Sequence, residues 1–168
     1  LPAIADPTPA LFFEHKHLYR RIKSEVPDER YTIPFGEART HRPGEDVVVV
    51  TWGAMVHTAA EAAAQLEREG VSVEVLDLRT LIPWDRAAVL ESVRRTSKVL
   101  VLHEDTRTGG FGAEIAATIA EEAFEHLDAP LQRIAAPDSP VPFSPPLEKA
   151  YIPQVDDVVA GLRELAAY

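Results

Sequence analysis

Val47-Val48-Val49-Val50-Thr51-Trp52 is a short run of β-branched and aromatic residues with no polar alternation. A run of this kind reads as a strand buried on both faces. Met55–Glu69 follows it with Val56, Ala59, Ala63 and Leu66 at helical spacing, and Gly70 ends the pattern. Val71–Leu76 is a second strand, Asp85–Arg95 a second helix, and Val99–Leu102 a third buried strand. Ala113–Leu127 carries Ile115, Ile119, Ala123 and Phe124 on one helical face, Leu131–Ala135 is a fourth short strand, and Val155–Ala167 closes the chain as a helix. Strands that alternate with helices of this length predict βαβ units, an α/β fold with a mostly parallel sheet and helices on both faces.

Outward from that core the pattern weakens. Ala10–Phe13 reads as a strand, and Arg20–Pro43 is polar with scattered prolines and reads as a linker. The αβ pattern begins only at Asp46, so the N-terminal segment reads as the end of another domain joined by a connector. The first residue is Leu rather than Met, which suggests a fragment or a processed product. Six of the 14 prolines lie between Pro137 and Pro153. Proline lacks the N–H and fixes φ, so this stretch is expected to be an ordered, extended connection, neither helix nor inner strand.

Composition narrows the functional classes. The chain has 168 residues, enough for one domain or one domain with a piece of a neighbour. It contains no cysteine, which excludes disulfides, zinc-thiolate sites and thiol catalysis. With 17 Lys+Arg against 27 Asp+Glu the net charge is −10, which argues against a nucleic-acid partner and permits a basic protein partner. No stretch is long and apolar enough to cross a membrane, and no targeting segment is visible.

In a parallel sheet, ligands sit beyond the carboxyl ends of the strands. The third strand ends there in His103-Glu104-Asp105, followed by Thr106-Arg107-Thr108-Gly109-Gly110-Phe111-Gly112 and a helix. One reading is a phosphate or carboxylate site at the helix start. The other is a tight strand-to-helix turn with Thr108 or Asp105 as the cap. His103 and Glu104 could form an acid–base pair, although neighbours on a strand point to opposite faces. His15 and His17 would share a face if their segment were a strand, facing a cleft. His57 falls at the start of the first helix. Glu121, Glu122, Glu125 and Asp128 place acid on an exposed helix face, either simply solvated or a docking surface for a basic partner. No self-sufficient catalytic set emerges.

Several ordered words then point to a family. They are Phe12-Phe13-Glu14-His15-Lys16, Leu18-Tyr19-Arg20, Tyr31-Thr32-Ile33-Pro34, Thr51-Trp52-Gly53-Ala54-Met55-Val56-His57, Val75-Leu76-Asp77-Leu78-Arg79-Thr80, His103 through Phe111, Leu127-Asp128-Ala129-Pro130 and Pro153. Together they resemble the C-terminal half of the β subunit of a 2-oxo acid dehydrogenase decarboxylase component, a thiamine-diphosphate-dependent enzyme of the transketolase type. The resemblance implies a three-layer αβα domain of about five mostly parallel strands over residues 46–168. It implies a connector over 31–45, and over 1–30 the tail of a preceding pyrimidine-binding domain. It further implies an α2β2 assembly with an α subunit and a second β subunit. Thiamine diphosphate and Mg would lie between subunits and none would be bound by this fragment, which holds no catalytic, cofactor-binding or metal residue and is expected to be inactive alone. The acyl group would pass to a lipoyl acyltransferase core, whose small basic subunit-binding domain would dock on this domain, with Glu121, Glu122, Glu125 and Tyr168 as candidates. His103, Glu104, Asp105, Arg107, Thr108, Gly109, Gly110 and Phe111 would belong to an interface or loop. Leu81-Ile82-Pro83-Trp84-Asp85 and Thr51-Trp52-Gly53 resemble branched-chain members more than pyruvate members. Location would be the cytoplasm in a bacterium or the mitochondrial matrix in a eukaryote. A stand-alone module binding an anion or regulatory ligand is the competing expectation.

Overall fold

The computed structural model describes residues 2–168. Five strands form one sheet in the order β1-β3-β2-β4-β5. They are β1 (Arg39–Arg42), β2 (Val47–Thr51), β3 (Val73–Asp77), β4 (Val99–Thr106) and β5 (Gln132–Ala136). β3, β2, β4 and β5 run parallel, and β1 joins β3 antiparallel with a register shift between Thr40 and Arg42. The helices are α1 (Pro2–Ala5), α2 (Met55–Glu67), α3 (Arg86–Thr96), α4 (Gly112–Glu122), α5 (Pro145–Tyr151) and α6 (Val155–Ala166).

Side chains alternate across the sheet, so each strand feeds two cores. Val47, Val49, Val73, Val75, Leu100 and Leu102 pack under α2 and α6. Val48, Val50, Leu76, Val99 and Val101 pack under α3 and α4. That makes three layers, αβα, with a five-stranded and mostly parallel sheet as expected. Val47 to Val50 have no accessible surface, which is why the run shows no polar alternation. A buried carboxylate crosses to α3: Glu74 meets Arg95 at 2.6 Å, and Arg95 also donates to the Gly44 carbonyl at 2.5 Å.

Four expectations need correction. The stretch read as a connector contains β1, whose Arg-Thr-His-Arg sequence lacks the apolar run that marks a strand. The proline-rich connection is not wholly extended, because α5 starts there with Pro145 and Pro146. Proline is tolerated in a first turn, where its missing N–H would have no partner anyway. Ala10–Phe13 is not a strand: Leu11, Phe12 and Phe13 lie exposed and unpaired among the described residues. α4 stops at Glu122, and a separate 3-10 turn, Phe124–His126, follows it. Among the described residues, no helix is long and apolar enough to cross a membrane.

Candidate functional site

β4 runs on past Leu102 to Thr106, so His103, Glu104 and Asp105 lie on the strand. His103 is fully buried on the α3/α4 side, stacked on Trp52 with ring centroids 5.4 Å apart and planes 7° from parallel. Phe111 meets Trp52 edge-on at 6.1 Å and Trp84 edge-on at 6.4 Å, extending the aromatic layer. Neither ring nitrogen of His103 has a hydrogen-bond partner. Burial pushes its pKa down, with the Asp105 carboxylate pulling the other way.

Glu104 points to the opposite face. There its carboxylate meets Nε2 of His15 at 3.0 Å. The acid–base partner of Glu104 is therefore a residue 89 positions away and not its neighbour. His15 precedes a 3-10 turn, Lys16–Leu18, and His17 lies edge-on to it with centroids 6.1 Å apart.

The glycine loop serves packing. Gly109 sits at φ +75°. A Cβ on Gly110 would fall 2.2 Å from the Thr106 carbonyl and 2.8 Å from His103 Cε1. A Cβ on Gly112 would fall 2.4 Å from the same ring. The glycines are thus the wall against which His103 is pressed. At the helix start the N–H groups of Ala113 and Glu114 donate to the carbonyls of Gly110 and Phe111. Neither Thr108 nor Asp105 caps α4, whose N-cap is Phe111. Asp105 accepts from the Thr106 N–H at 2.7 Å. Thr108 instead donates its N–H and hydroxyl to Asp138, at 2.8 and 2.6 Å, and these bonds hold the Asp138 pKa below its usual value. Arg107 donates to the Arg133 carbonyl at 3.0 Å, tying the loop to β5.

The acidic helix is divided. Glu122 pairs with Arg86 of α3, while Glu121 and Glu125 stay exposed, as does Tyr168 at the chain end. Two open grooves flank α4. One, of about 560 Å³, is lined by Leu81 to Trp84, Gly109 to Phe111, Ala113 and Glu114. The other, of about 550 Å³, runs along Ala116, Ala120, Phe124 and Leu127 to Leu131. Phe124 and Ile82 stand 71% and 85% exposed on their rims.

A second cluster was not singled out by sequence reasoning. At the carboxyl ends of β2 and β3, His41 and His57 meet edge-on at 5.9 Å, near Asp77. Burial and the neighbouring His41 push the His57 pKa down, against the pull of Asp77. Burial raises that of Asp77, against the Arg79 N–H, Arg79, His41 and Arg39. His41 comes from the missed strand, which is why the pair was not visible in the sequence.

These residues do not fit a thiamine diphosphate site. The backbone at Gly110 and Gly112 is packed against the ring of His103. Among the described residues, no group of three or more His, Asp or Glu could hold a metal ion.

Residues 36–158 match the transketolase C-terminal domain family. The chain is 46% identical over 99% of its length to the 2-oxoisovalerate dehydrogenase subunit beta of Bacillus subtilis, covering 51% of it. It is equally 46% identical, over 98% of its length, to the beta subunit of an acetoin:2,6-dichlorophenolindophenol oxidoreductase of Cupriavidus necator, covering 48% of that protein. It therefore spans about half the length of these curated relatives. A solved split-gene transketolase, an inactive beta4 tetramer, superposes with TM-score 0.72 at 31% identity over 87% of this chain and 46% of the other. The chain belongs to the transketolase C-terminal domain family.

Proposed function

We propose that this chain is the C-terminal domain of the β subunit of a thiamine-diphosphate-dependent 2-oxo acid dehydrogenase, and that its own task is assembly and docking. The observation that carries the reading is identity of 46% across nearly the whole chain to such a β subunit. Thiamine diphosphate and Mg are held outside this domain, by the α subunit and the preceding half of β, and this chain alone does not decarboxylate. Support comes from the glycine loop, whose Gly110 and Gly112 pack against His103. The apolar grooves beside α4 and the exposed Leu11, Phe12 and Phe13 suit contacts with the rest of β, the α subunit and a second β subunit. Exposed Glu121 and Glu125 suit the basic subunit-binding domain of a lipoyl acyltransferase core.

Branched-chain 2-oxo acids are the proposed substrates. The equal identity to an acetoin-oxidising β subunit makes acetoin the specific competitor. The test is a full-length β subunit reconstituted with its α subunit, thiamine diphosphate and Mg. Values of kcat/KM for 3-methyl-2-oxobutanoate, pyruvate and acetoin are compared. Preference for the branched acid supports the proposal. Preference for acetoin or pyruvate keeps the assembly role and overturns the substrate. Micromolar thiamine diphosphate binding by residues 1–168 alone overturns the assignment of the cofactor to the missing parts.

A further inference from the structure

We propose that the β2–α2–β3 unit carries a binding site for a phosphorylated small molecule with free hydroxyls, a nucleotide, on the α2 side of the sheet. No activity proposed above uses this surface.

The site is built from both strand ends and the helix between them. Thr51 and Asp77 are paired in the parallel register of β2 and β3, so their side chains leave the sheet on one face. That face is the α2 face, because Val49 and Val75, two residues earlier on each strand, pack under α2. The chain turns from Thr51 through Gly53, at φ +59°, directly into α2. A Cβ on Gly53 would meet nothing within 4 Å, so the turn opens onto free space.

Three donors wait there. α2 is a helix of 13 residues with Ala54 at its N-cap and no side chain capping it. The N–H groups of Gly53, Ala54 and Met55 find no acceptor among the described residues. Unsatisfied N–H groups at a helix start favour a phosphate. The second, independent observation is the Thr51 hydroxyl. It is fully buried at the carboxyl end of β2 and has no hydrogen-bond partner. A buried hydroxyl without a partner is costly, and a bound ligand oxygen would satisfy it.

Charge agrees locally although the chain as a whole is acidic. His57 is exposed on the first turn of α2, His41 lies edge-on to it, and Arg39 stands opposite Asp77 in register. Asp77 is the counterweight. Its one recorded hydrogen bond is from the Arg79 N–H at 3.0 Å, which leaves the second oxygen free to accept a hydroxyl. A strand, a glycine turn, an uncapped helix and an acid at the end of the next strand are the parts that hold phosphate and ribose in dinucleotide folds.

The probes are ADP, adenosine and inorganic phosphate, each titrated into the 168-residue chain by calorimetry. The His41 and His57 imidazoles are followed by NMR. ADP is expected to bind with both imidazole signals shifting. Phosphate alone is expected to bind about tenfold more weakly or less, and adenosine alone not detectably. Thr51→Val and His57→Ala should each weaken ADP about tenfold, while Thr51→Ser retains it. Asp77→Asn should weaken ADP and leave phosphate unchanged. Absence of ADP binding at millimolar concentration overturns the proposal. So does binding that Thr51→Val and His57→Ala both leave intact in folded protein, because the ligand then sits elsewhere.

Discussion

The imidazole of His103 lies flat on the indole of Trp52, 5.4 Å away, and its outer edge occupies the space that a side chain at Gly112 would need. The two aromatic planes and the glycine form one packed stack at the end of β4. Gly112→Ala would place its Cβ 2.4 Å from the ring. Overpacking of this kind costs about 1–3 kcal/mol, read as a lower urea midpoint at unchanged slope. In a His103→Ser background the same change should cost much less. An undiminished penalty there would show that the strain arises elsewhere.

The same burial sets a pH dependence. The pKa values of His103 and His57 are lowered in the folded chain, whereas an unfolded histidine titrates near 6.5. Below that value the unfolded chain binds more protons than the folded one, so stability falls as pH falls. It is fully present above about pH 6.5 and declines until the lowered folded values are passed. Thermal midpoints taken from neutral to mildly acid pH should drop, and His103→Gln should flatten part of that slope. A slope identical in wild type and variant would remove His103 as its source.

Glu74 is 2% exposed, and Arg95 supplies its ion pair from α3. Arg95→Met strands a buried carboxylate and should cost roughly 3 kcal/mol. Arg95→Met with Glu74→Gln should recover much of it, because the stranded charge is gone. Equilibrium unfolding of the single and double variants measures both numbers.

Asp85 joins two segments. One oxygen caps α3 by accepting from Ala88 N–H at 3.0 Å, and the other accepts from Ala38 N–H at 2.9 Å. Asp85→Ala should cost about 1–2 kcal/mol for the cap. Amide exchange should quicken at Ala38 and Ala88 together. Faster exchange at Ala88 alone would show that the segment before β1 is held by other contacts.

The sequence revealed what is buried on both faces. Val47 to Val50 and Val99 to Leu102 carry their environment in their composition, because only apolar side chains survive there. β1 did not, because a four-residue edge strand needs only one partner and can be built from Arg, Thr and His. α5 was hidden behind its own prolines, whose prohibition applies to helix interiors and not to first turns. Ala10–Phe13 has the composition of a strand, but a strand also requires a neighbour. The site followed the same rule. Opposite facing of His103 and Glu104 was legible from strand alternation. The His15–Glu104 contact and the His41–His57 pair join distant segments and were not.

The antiparallel strand at the edge changes what counts as a removable piece. Arg39–Arg42 comes from the tether that leads into the domain, yet it supplies the outer hydrogen-bonding rail of β3. A graft or truncation made at Asp46, where the apolar pattern starts, would leave β3 as a raw edge able to recruit strands from other molecules. The portable unit is therefore the one that keeps its tether, and the family match beginning at residue 36 respects that boundary.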